Sequence, residues 1–574
     1  MTESRKNKGV SWWKTALLQQ ATRLRQREDR LLLVLALVIG ALTGALVVAF
    51  ILLTERLGMR LYPVGSAAWR RVLIPIAGSL GMGYLLFRYF PDARGSGVPQ
   101  TKAALFAREG VITSGTVFGK FFCTSATLAS GIPLGREGPS VQVGAGIASV
   151  LGRRLGLSSE TVKSLIPVGA AAAIAAAFNT PLAGVIFSLE EVMGDLNAPV
   201  LGSTVLASAT SWLLLRLLLG DNPLFKVPQY NVVHPLSFAV YAVLGVAGGL
   251  VSVAFTRLLL DSRKRFLAMP VRTHWFLPAA GGVLTGLLGW FAPQVLGVGY
   301  GYVGDALNGR MALRLMALLV VLKLVASAIS YASGNAGGIF GPSLFIGAML
   351  GGTVGSIAHW LWPGQTAPVG AYALVGMGTA FAGIVRAPMT SVVMIFETTR
   401  DYAIIVPLMI SNLVSFFISS RLQPQPIYEA LALQDGIHLP SAGTVHPHIQ
   451  REVTKVMRAA TEVLPAEITV QEALERARGS EFHAWPLTDE RGVVGVVSLA
   501  QLESAAAAGG GANRLSEFID TRRFPHVHSD QPLHLALERM GAAKLDLLPV
   551  VSRANIQHLE GVVVRSDILN SYWR

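Results

Sequence analysis

Residues Leu31 to Leu53, LLLVLALVIGALTGALVVAFILL, carry no charged side chain. A helix of that length crosses the roughly 30 Å hydrocarbon core of a bilayer. It is too long for the apolar region of a signal peptide and has no convincing cleavage site after it, so it reads as a retained span. From Leu31 to about Arg421 further apolar stretches come in close succession, many of them interrupted by Gly or Pro. Backbone in hydrocarbon must satisfy its own polar groups, which restricts such a chain to packed helices or a closed barrel. Composition agrees with the membrane reading: 14% of the residues are charged and 52% hydrophobic, where soluble domains carry roughly 25% charged residues. The formal charge of +14 needs no nucleic-acid partner, because Lys and Arg retained on the cytoplasmic side of a multi-span protein give the same excess. The basic segment ahead of Leu31, ESRKNKGVSWWKTALLQQATRLRQREDR, fits that side. A single cysteine, Cys123, excludes an intramolecular disulfide.

Composition changes after SSRLQPQPIYEALALQDG. The stretch REVTKVMRAATEVLPAEITVQEALERARGS is charged and amphipathic, as a soluble domain is. This soluble tail repeats itself. Ala473–Arg476 (ALER) recurs at Ala536–Arg539, and Pro486 recurs at Pro549 with the same offset of 63. Each copy ends in a β-like run and a polar turn, GVVGVVSLAQL and LEGVVVRSDIL, with AAAAGGGAN between the copies as a flexible connector. Two tandem βαβ-type units are expected. They resemble a pair of CBS domains, and that resemblance implies adenine nucleotides as candidate ligands.

The membrane part repeats over a longer period. GKFFCTSATLASGIPLGREGPSVQVGAGIASVLG aligns with VLKLVASAISYASGNAGGIFGPSLFIGAMLGGTVG at an offset of 203, which pairs Lys120 with Lys323 and Gly138-Pro139-Ser140 with Gly341-Pro342-Ser343. At a slightly larger offset FNTPLAGVIFSLEE echoes VRAPMTSVVMIFET. The repeat implies a duplicated, transporter-like core with broken helices; span parity does not show whether the copies are inverted.

Three segments place Gly and Pro where a helix would begin inside apolar sequence: RGSGVPQTK (Arg94–Lys102), GREGPSVQ (Gly135–Gln142) and GIFGPSLF (Gly338–Phe345). Proline is accommodated in a first turn, where its missing N–H has no intrahelical partner to lose. A helix starting at depth aims unpaired N–H groups and the positive end of its dipole into a cavity, an arrangement suited to an anion. For any one of the three, a Gly-Pro turn at a membrane surface is the competing reading.

These segments resemble the three signatures of the CLC family of chloride channels and proton-coupled chloride antiporters. They stand here as Gly95-Ser96-Gly97-Val98-Pro99, Gly135-Arg136-Glu137-Gly138-Pro139 and Gly338-Ile339-Phe340-Gly341-Pro342, with Val98 for the usual Ile as the departure. The likeness runs from about residue 30 to 574. It implies that Ser96 and Tyr428, in PQPIYEA, donate hydroxyls to a central chloride, and that the amides of Ile339 and Phe340 complete the coordination. It implies that Glu137 is the external gating glutamate, against the alternative that it only pairs with Arg136 or another cation. Glu191, in FSLEEVMGD, resembles the inner glutamate that passes protons in antiporters; Glu190 and Glu191 could also mark a helix end at the water interface. Glu397, in MIFETTRDY, reads as an interfacial helix end. Lys120 and Lys323 either raise the local potential for anions or form structural ion pairs. Serine at position 96 suits chloride.

In the tail, Gly561-Val562-Val563-Val564-Arg565-Ser566-Asp567 keeps the Asp that often holds a nucleotide ribose in CBS domains, but has Val564 where the pattern has Thr; the first copy has Ser498 and Gln501 there. Asp567 is thus the candidate nucleotide contact, and a structural role at a dimer interface is the alternative. His446, His448, His526 and His528 form two H-x-H pairs without thiolates, which read as surface loops rather than metal ligands.

The expectation is an all-α polytopic membrane protein plus an α/β cytoplasmic CBS pair. The segments are a cytoplasmic N-terminus at 1–30, a CLC-type transmembrane domain at 31–430, a linker at 431–448, and CBS copies at 449–508 and 514–574. The chain is expected to be a homodimer in a bacterial inner membrane, with its N-terminus and CBS pair cytoplasmic. It would exchange chloride for protons, with a passive gated chloride channel as the alternative. No enzymatic motif, resident cofactor or metal is expected.

Overall fold

The computed structural model describes residues 7–196, 200–220, 224–225, 227–228, 235–437, 439, 452–518, 524–553 and 555–573. The chain divides into two compact units, Met1–Ala442 and Gly443–Arg574. Most of the expected linker at 431–448 beyond Ile437, including His446 and His448, lies outside the described residues.

The first unit is helical. Among the described residues, seven helices are long and apolar enough to cross a membrane, beginning with Leu31–Leu61. The duplication read from the sequence is carried by helices in matching order. Ser114–Ala129, Glu137–Arg154, Ser159–Phe178 and Pro181–Phe187 correspond to Leu313–Ala332, Phe340–Leu361, Val369–Val385 and Pro388–Thr399. The punctuation is shared as well. Asn179 (φ 61°) and Arg386 (φ 67°) both end their helix in the left-handed conformation, two residues ahead of a proline that opens the next helix.

Small residues explain how these helices pack. A Cβ added at Gly144 would stand 2.3 Å from the Gly169 carbonyl oxygen, and one at Gly347 would stand 2.2 Å from that of Gly376. Backbone therefore meets backbone at the same crossing in each copy, the close approach that small residues permit in membrane bundles. The run Ala170–Ala177 is buried along its whole length beside the first of these crossings.

The second unit contains two sheets. In the first copy Leu464–Pro465 pairs in parallel with Ala484–Asp489, which pairs antiparallel with Gly492–Ser498. In the second, Leu547–Val551 pairs antiparallel with Leu559–Val564, and Val527 makes a parallel bridge to Val550. The two ALER repeats fall on the helices Val470–Ala477 and Leu533–Ala543, and Pro486 and Pro549 lie on the second strand of each βαβ unit. Residues 452–458 open the first copy and hydrogen-bond to the second: Val453 N–H donates to Gln531 O at 2.8 Å and Arg458 N–H to Val562 O at 2.8 Å. One detail differs from expectation: the connector at 505–513 is no free linker. Its alanines finish the helix Leu499–Ala507, as alanine favours, and Gln471 N–H donates to Gly511 O at 3.0 Å.

Candidate functional site

All three Gly-Pro segments open helices where the sequence places them. Val98–Phe106 starts after Gly97, Glu137–Arg154 after Arg136 and Phe340–Leu361 after Ile339. Val98, Glu137 and Phe340 are each fully buried, so these starts lie inside the protein rather than at its surface. Two of them are stitched together. Gly135 N–H donates to Gly338 O, and Gly338 N–H to Gly135 O, both at 2.7 Å. These residues are equivalents in the repeat and run antiparallel, as copies related by a local two-fold axis do. The third start is pressed onto the second: a Cβ at Gly97 (φ 102°) would lie 2.3 Å from Gly138 O. Only glycine fits these contacts.

Around this junction lie Ser96 and Tyr428, both completely buried. The Tyr428 phenol and the Ser96 hydroxyl face each other, and beyond that mutual contact neither has a hydrogen-bond partner. Ser96 is held through its backbone, its N–H donating to the Tyr331 hydroxyl at 3.2 Å. Ile339 caps the third helix and Phe340 opens it, so their amides belong to the turn whose N–H groups lack intrahelical acceptors. The Phe340 ring is fixed by Phe381 at 4.3 Å and Phe178 at 4.9 Å between ring centres. Two hydroxyls with no partner beyond each other, beside such amides, form the uncharged donor set that a dehydrated anion requires, and the residues therefore fit chloride as substrate.

Glu137 does not pair with Arg136. Its Oε1 accepts from the Tyr300 hydroxyl, and its buried Oε2 has no partner. That oxygen lies against Gly135 and Gly341, where an added Cβ would come within 2.4 Å and 3.2 Å of it. The carboxyl thus sits at the junction of the two stitched helix starts. Arg136 turns away, its guanidinium 5.8 Å from the Tyr300 ring centre and 3.4 Å from Glu55 Oε1. Glu55, Arg136 and Phe178 line a cavity of about 220 Å3.

Glu191 lies in the turn Ser188–Met193, buried rather than at a water interface. Lys102 Nζ donates to its Oε1 at 2.9 Å. Glu190 has a different task. It accepts from the amides of Met389 and Thr390 at 3.1 and 2.7 Å, closing the start of the helix Pro388–Thr399. Glu397, its repeat equivalent, accepts from the amides of Leu182 and Ala183 at 3.0 and 2.7 Å, closing the start of Pro181–Phe187. Each copy caps a helix of the other, where a carboxylate also complements the dipole. Replacing both by Ala is expected to cost about 2–4 kcal/mol, at roughly 1–2 kcal/mol per cap. The check is a lower thermal midpoint in detergent, with each single variant lying between wild type and the pair.

Lys120 and Lys323 form no ion pair among the described residues. Lys120 Nζ donates to Ala93, Arg94 and Gly95 carbonyls at 2.9, 3.3 and 2.7 Å. Lys323 Nζ donates to Val295 and Gly297 carbonyls at 2.9 and 2.6 Å. Each ammonium ties down the loop leading to a site residue, Ser96 in one copy and Tyr300 in the other. In the soluble unit Asp567 is engaged by Arg458 through its Oδ1. His526 and His528 have Nδ1 2.9 and 2.8 Å from the carbonyls of Phe524 and Val551. No metal-binding cluster of three or more His, Cys, Asp or Glu occurs among the described residues.

Sequence reasoning passed over Lys102, Tyr300, Tyr331 and Glu429. Only Lys102 carries a signal, a lone cation in the apolar turn after Gly97-Val98-Pro99 that has to find a partner.

Comparison with known proteins agrees with this geometry. Residues 77–420 match the family described as voltage gated chloride channel, and residues 453–507 and 515–574 match the CBS domain. The H(+)/Cl(−) exchange transporter ClcA of Salmonella paratyphi B is 32% identical over 442 residues, which cover 73% of this chain and 93% of that protein. A slow cyanobacterial Cl−/H+ antiporter superposes with a TM-score of 0.65 at 28% identity, covering 70% of this chain and 97% of that one. A eukaryotic CLC transporter shares the fold over 93% of this chain and 97% of its own, with a TM-score of 0.61 at 20% identity.

Proposed function

We propose, on the premise that the chain belongs to the voltage-gated chloride channel family and carries a CBS pair, that it exchanges chloride for protons across a membrane. One observation carries the reading: Glu137 is a buried carboxyl with one oxygen unpartnered, lodged where two helix starts meet. When ionised it competes with an anion for the amides there; when protonated it loses that attraction and swings aside. Chloride and proton occupancy are thereby linked at one place. Relatives named as H+/Cl− exchangers support the same assignment.

In this reading Ser96 Oγ, the Tyr428 hydroxyl and the amides of Ile339 and Phe340 hold the central chloride. Glu137 gates the outer side, and Glu191 passes protons on the inner side. The protein acts as a transporter rather than an enzyme. It works as a homodimer in a bacterial inner membrane, each subunit with its own pathway, and the basic N-terminus and CBS pair face the cytoplasm. Asp567, already engaged by Arg458, serves the architecture of the CBS pair rather than a nucleotide.

The deciding experiment loads proteoliposomes with chloride and follows external pH and chloride together. A chloride gradient is expected to drive protons against their own gradient, and the reversal potential is expected to move off the chloride value in a pH gradient. Chloride efflux without proton movement would identify a passive channel instead. Glu191→Gln is expected to lower proton flux roughly 100-fold, while chloride flux keeps its dependence on external pH through Glu137.

A further inference from the structure

The two copies match at one more helix start. In the first copy Gly95 and Gly97 stand at φ 76° and 102°, the Gly95 carbonyl accepts from Lys120 Nζ at 2.7 Å, and the helix Val98–Phe106 follows. In the second, Gly297 and Gly299 stand at φ 62° and 84°, the Gly297 carbonyl accepts from Lys323 Nζ at 2.6 Å, and the helix Tyr300–Leu307 follows. This shared frame pairs Ser96 with Val298 and Val98 with Tyr300. The second copy thus has no hydroxyl between its glycines and carries one on the first residue of the helix instead. That hydroxyl donates to Glu137 Oε1. The turn that presents it is pinned on both sides. Gly297 N–H donates to Gly131 O at 2.7 Å, in the segment that leads to Glu137, and a Cβ on Gly299 would stand 2.8 Å from the Phe345 ring. The Tyr300 ring meets that of Phe225 edge-on at 5.5 Å between centres, with the Arg136 guanidinium over it.

The other ionisable groups around Glu137 are engaged elsewhere. Arg136 reaches Glu55, Lys323 is held by the carbonyls of Val295 and Gly297, Lys102 by Glu191, and Tyr428 faces Ser96. The helix Phe340–Leu361 brings no ionisable side chain before His359. Among the described residues, Tyr300 supplies the one hydrogen bond that reaches the Glu137 side chain. A phenol donates more strongly to a carboxylate than to a neutral carboxyl group, because the bond is then charge-assisted, and a bond to the charged form favours that form. We propose that Tyr300 is the catch of the gate: its hydroxyl holds the ionised Glu137 side chain at the junction of the helix starts and loosens its hold when the carboxyl takes up a proton. The inference rests on the reading of Glu137 as the gate and adds what sets the pH at which that gate opens. Tyr300 acts through Glu137, as a positioning residue, and keeps its own proton throughout.

The test uses the full chain in proteoliposomes, with chloride flux recorded against external pH. Tyr300→Phe removes one oxygen and leaves the ring against Phe225 and Arg136. Without the catch the carboxylate is less favoured, so a higher pH is needed to close the gate. The falling limb of chloride flux is expected to move up by about one pH unit, the displacement that a ten-fold weaker hold on the carboxylate gives. Should Tyr300→Phe fail to elute as a single species, Tyr300→Met fills the space with a flexible side chain that has no donor and is expected to show the same displacement. In the Glu137→Gln background, where the gate cannot ionise, Tyr300→Phe is expected to leave a flat profile flat. A wild-type profile in Tyr300→Phe or Tyr300→Met, or a pH response added by Tyr300→Phe beside Glu137→Gln, overturns the proposal. A sloping profile in Glu137→Gln alone would instead overturn the gating reading on which it rests.

Discussion

Glu137→Gln is expected to stop proton movement, by roughly 100-fold or more, and to leave chloride flux without pH dependence. The amide keeps the size of the carboxyl and can still accept from Tyr300 through its carbonyl, so packing against Gly135 and Gly341 is preserved. What it loses is the ability to ionise and to carry a proton. On the proposed gating role the carboxyl competes with chloride only when ionised, so chloride flux should fall with rising external pH. The Gln variant imitates the protonated state at every pH and should give a flat profile. Simultaneous pH and chloride electrode traces decide the matter. Glu191→Gln separates the two roles, since it too should lose proton flux but keep the sloping chloride profile. Coupled uptake surviving in Glu137→Gln would remove this residue from the mechanism.

The second large effect concerns the backbone. Gly97→Ala would put a Cβ 2.3 Å from Gly138 O while forcing alanine to φ 102°. Neither can be relieved by a rotamer change, because the atom it meets belongs to the chain itself. Overpacking costs about 1–3 kcal/mol and so strained a backbone conformation about 1–3 kcal/mol more, enough to threaten folding altogether. Gly58→Ala is the matched control. It lies in the helix that includes Leu31–Leu61, with no atom within 4 Å of where its methyl group would stand, and is expected to be neutral or slightly stabilising. Size-exclusion profiles and thermal midpoints of the two should diverge clearly. If Gly97→Ala behaved like Gly58→Ala, the contact with Gly138 would be too loose to organise the site.

Much of this site was legible because its chemistry is local. Gly and Pro at fixed offsets announce a helix start without knowledge of what surrounds it, and the three starts, Ser96, Glu137, Ile339 and Phe340 all lie on them. Pairings across the chain were not legible. Lys102 meets Glu191 across 89 positions, and Glu190 and Glu397 look alike as helix-end acids until the repeat folds each onto the other's helix. The two buried lysines announced a need for partners, but the sequence could not say that carbonyl groups would meet it. Along the tail, AAAAGGGAN reads as a connector because glycine dominates the eye. The alanines before it simply extend a helix, and Gly509 at φ 85° ends it.

The paired amides of Gly135 and Gly338 bear on how fast such a protein can turn over. Rocking one half against the other would shear both bonds and drag Gly97 across the Gly138 carbonyl, where there is no slack. On the proposed gating role of Glu137, the moving part is then a single side chain turning about its own bonds, and the cycle does not wait on the microsecond-to-millisecond domain motions that rocking the halves would require.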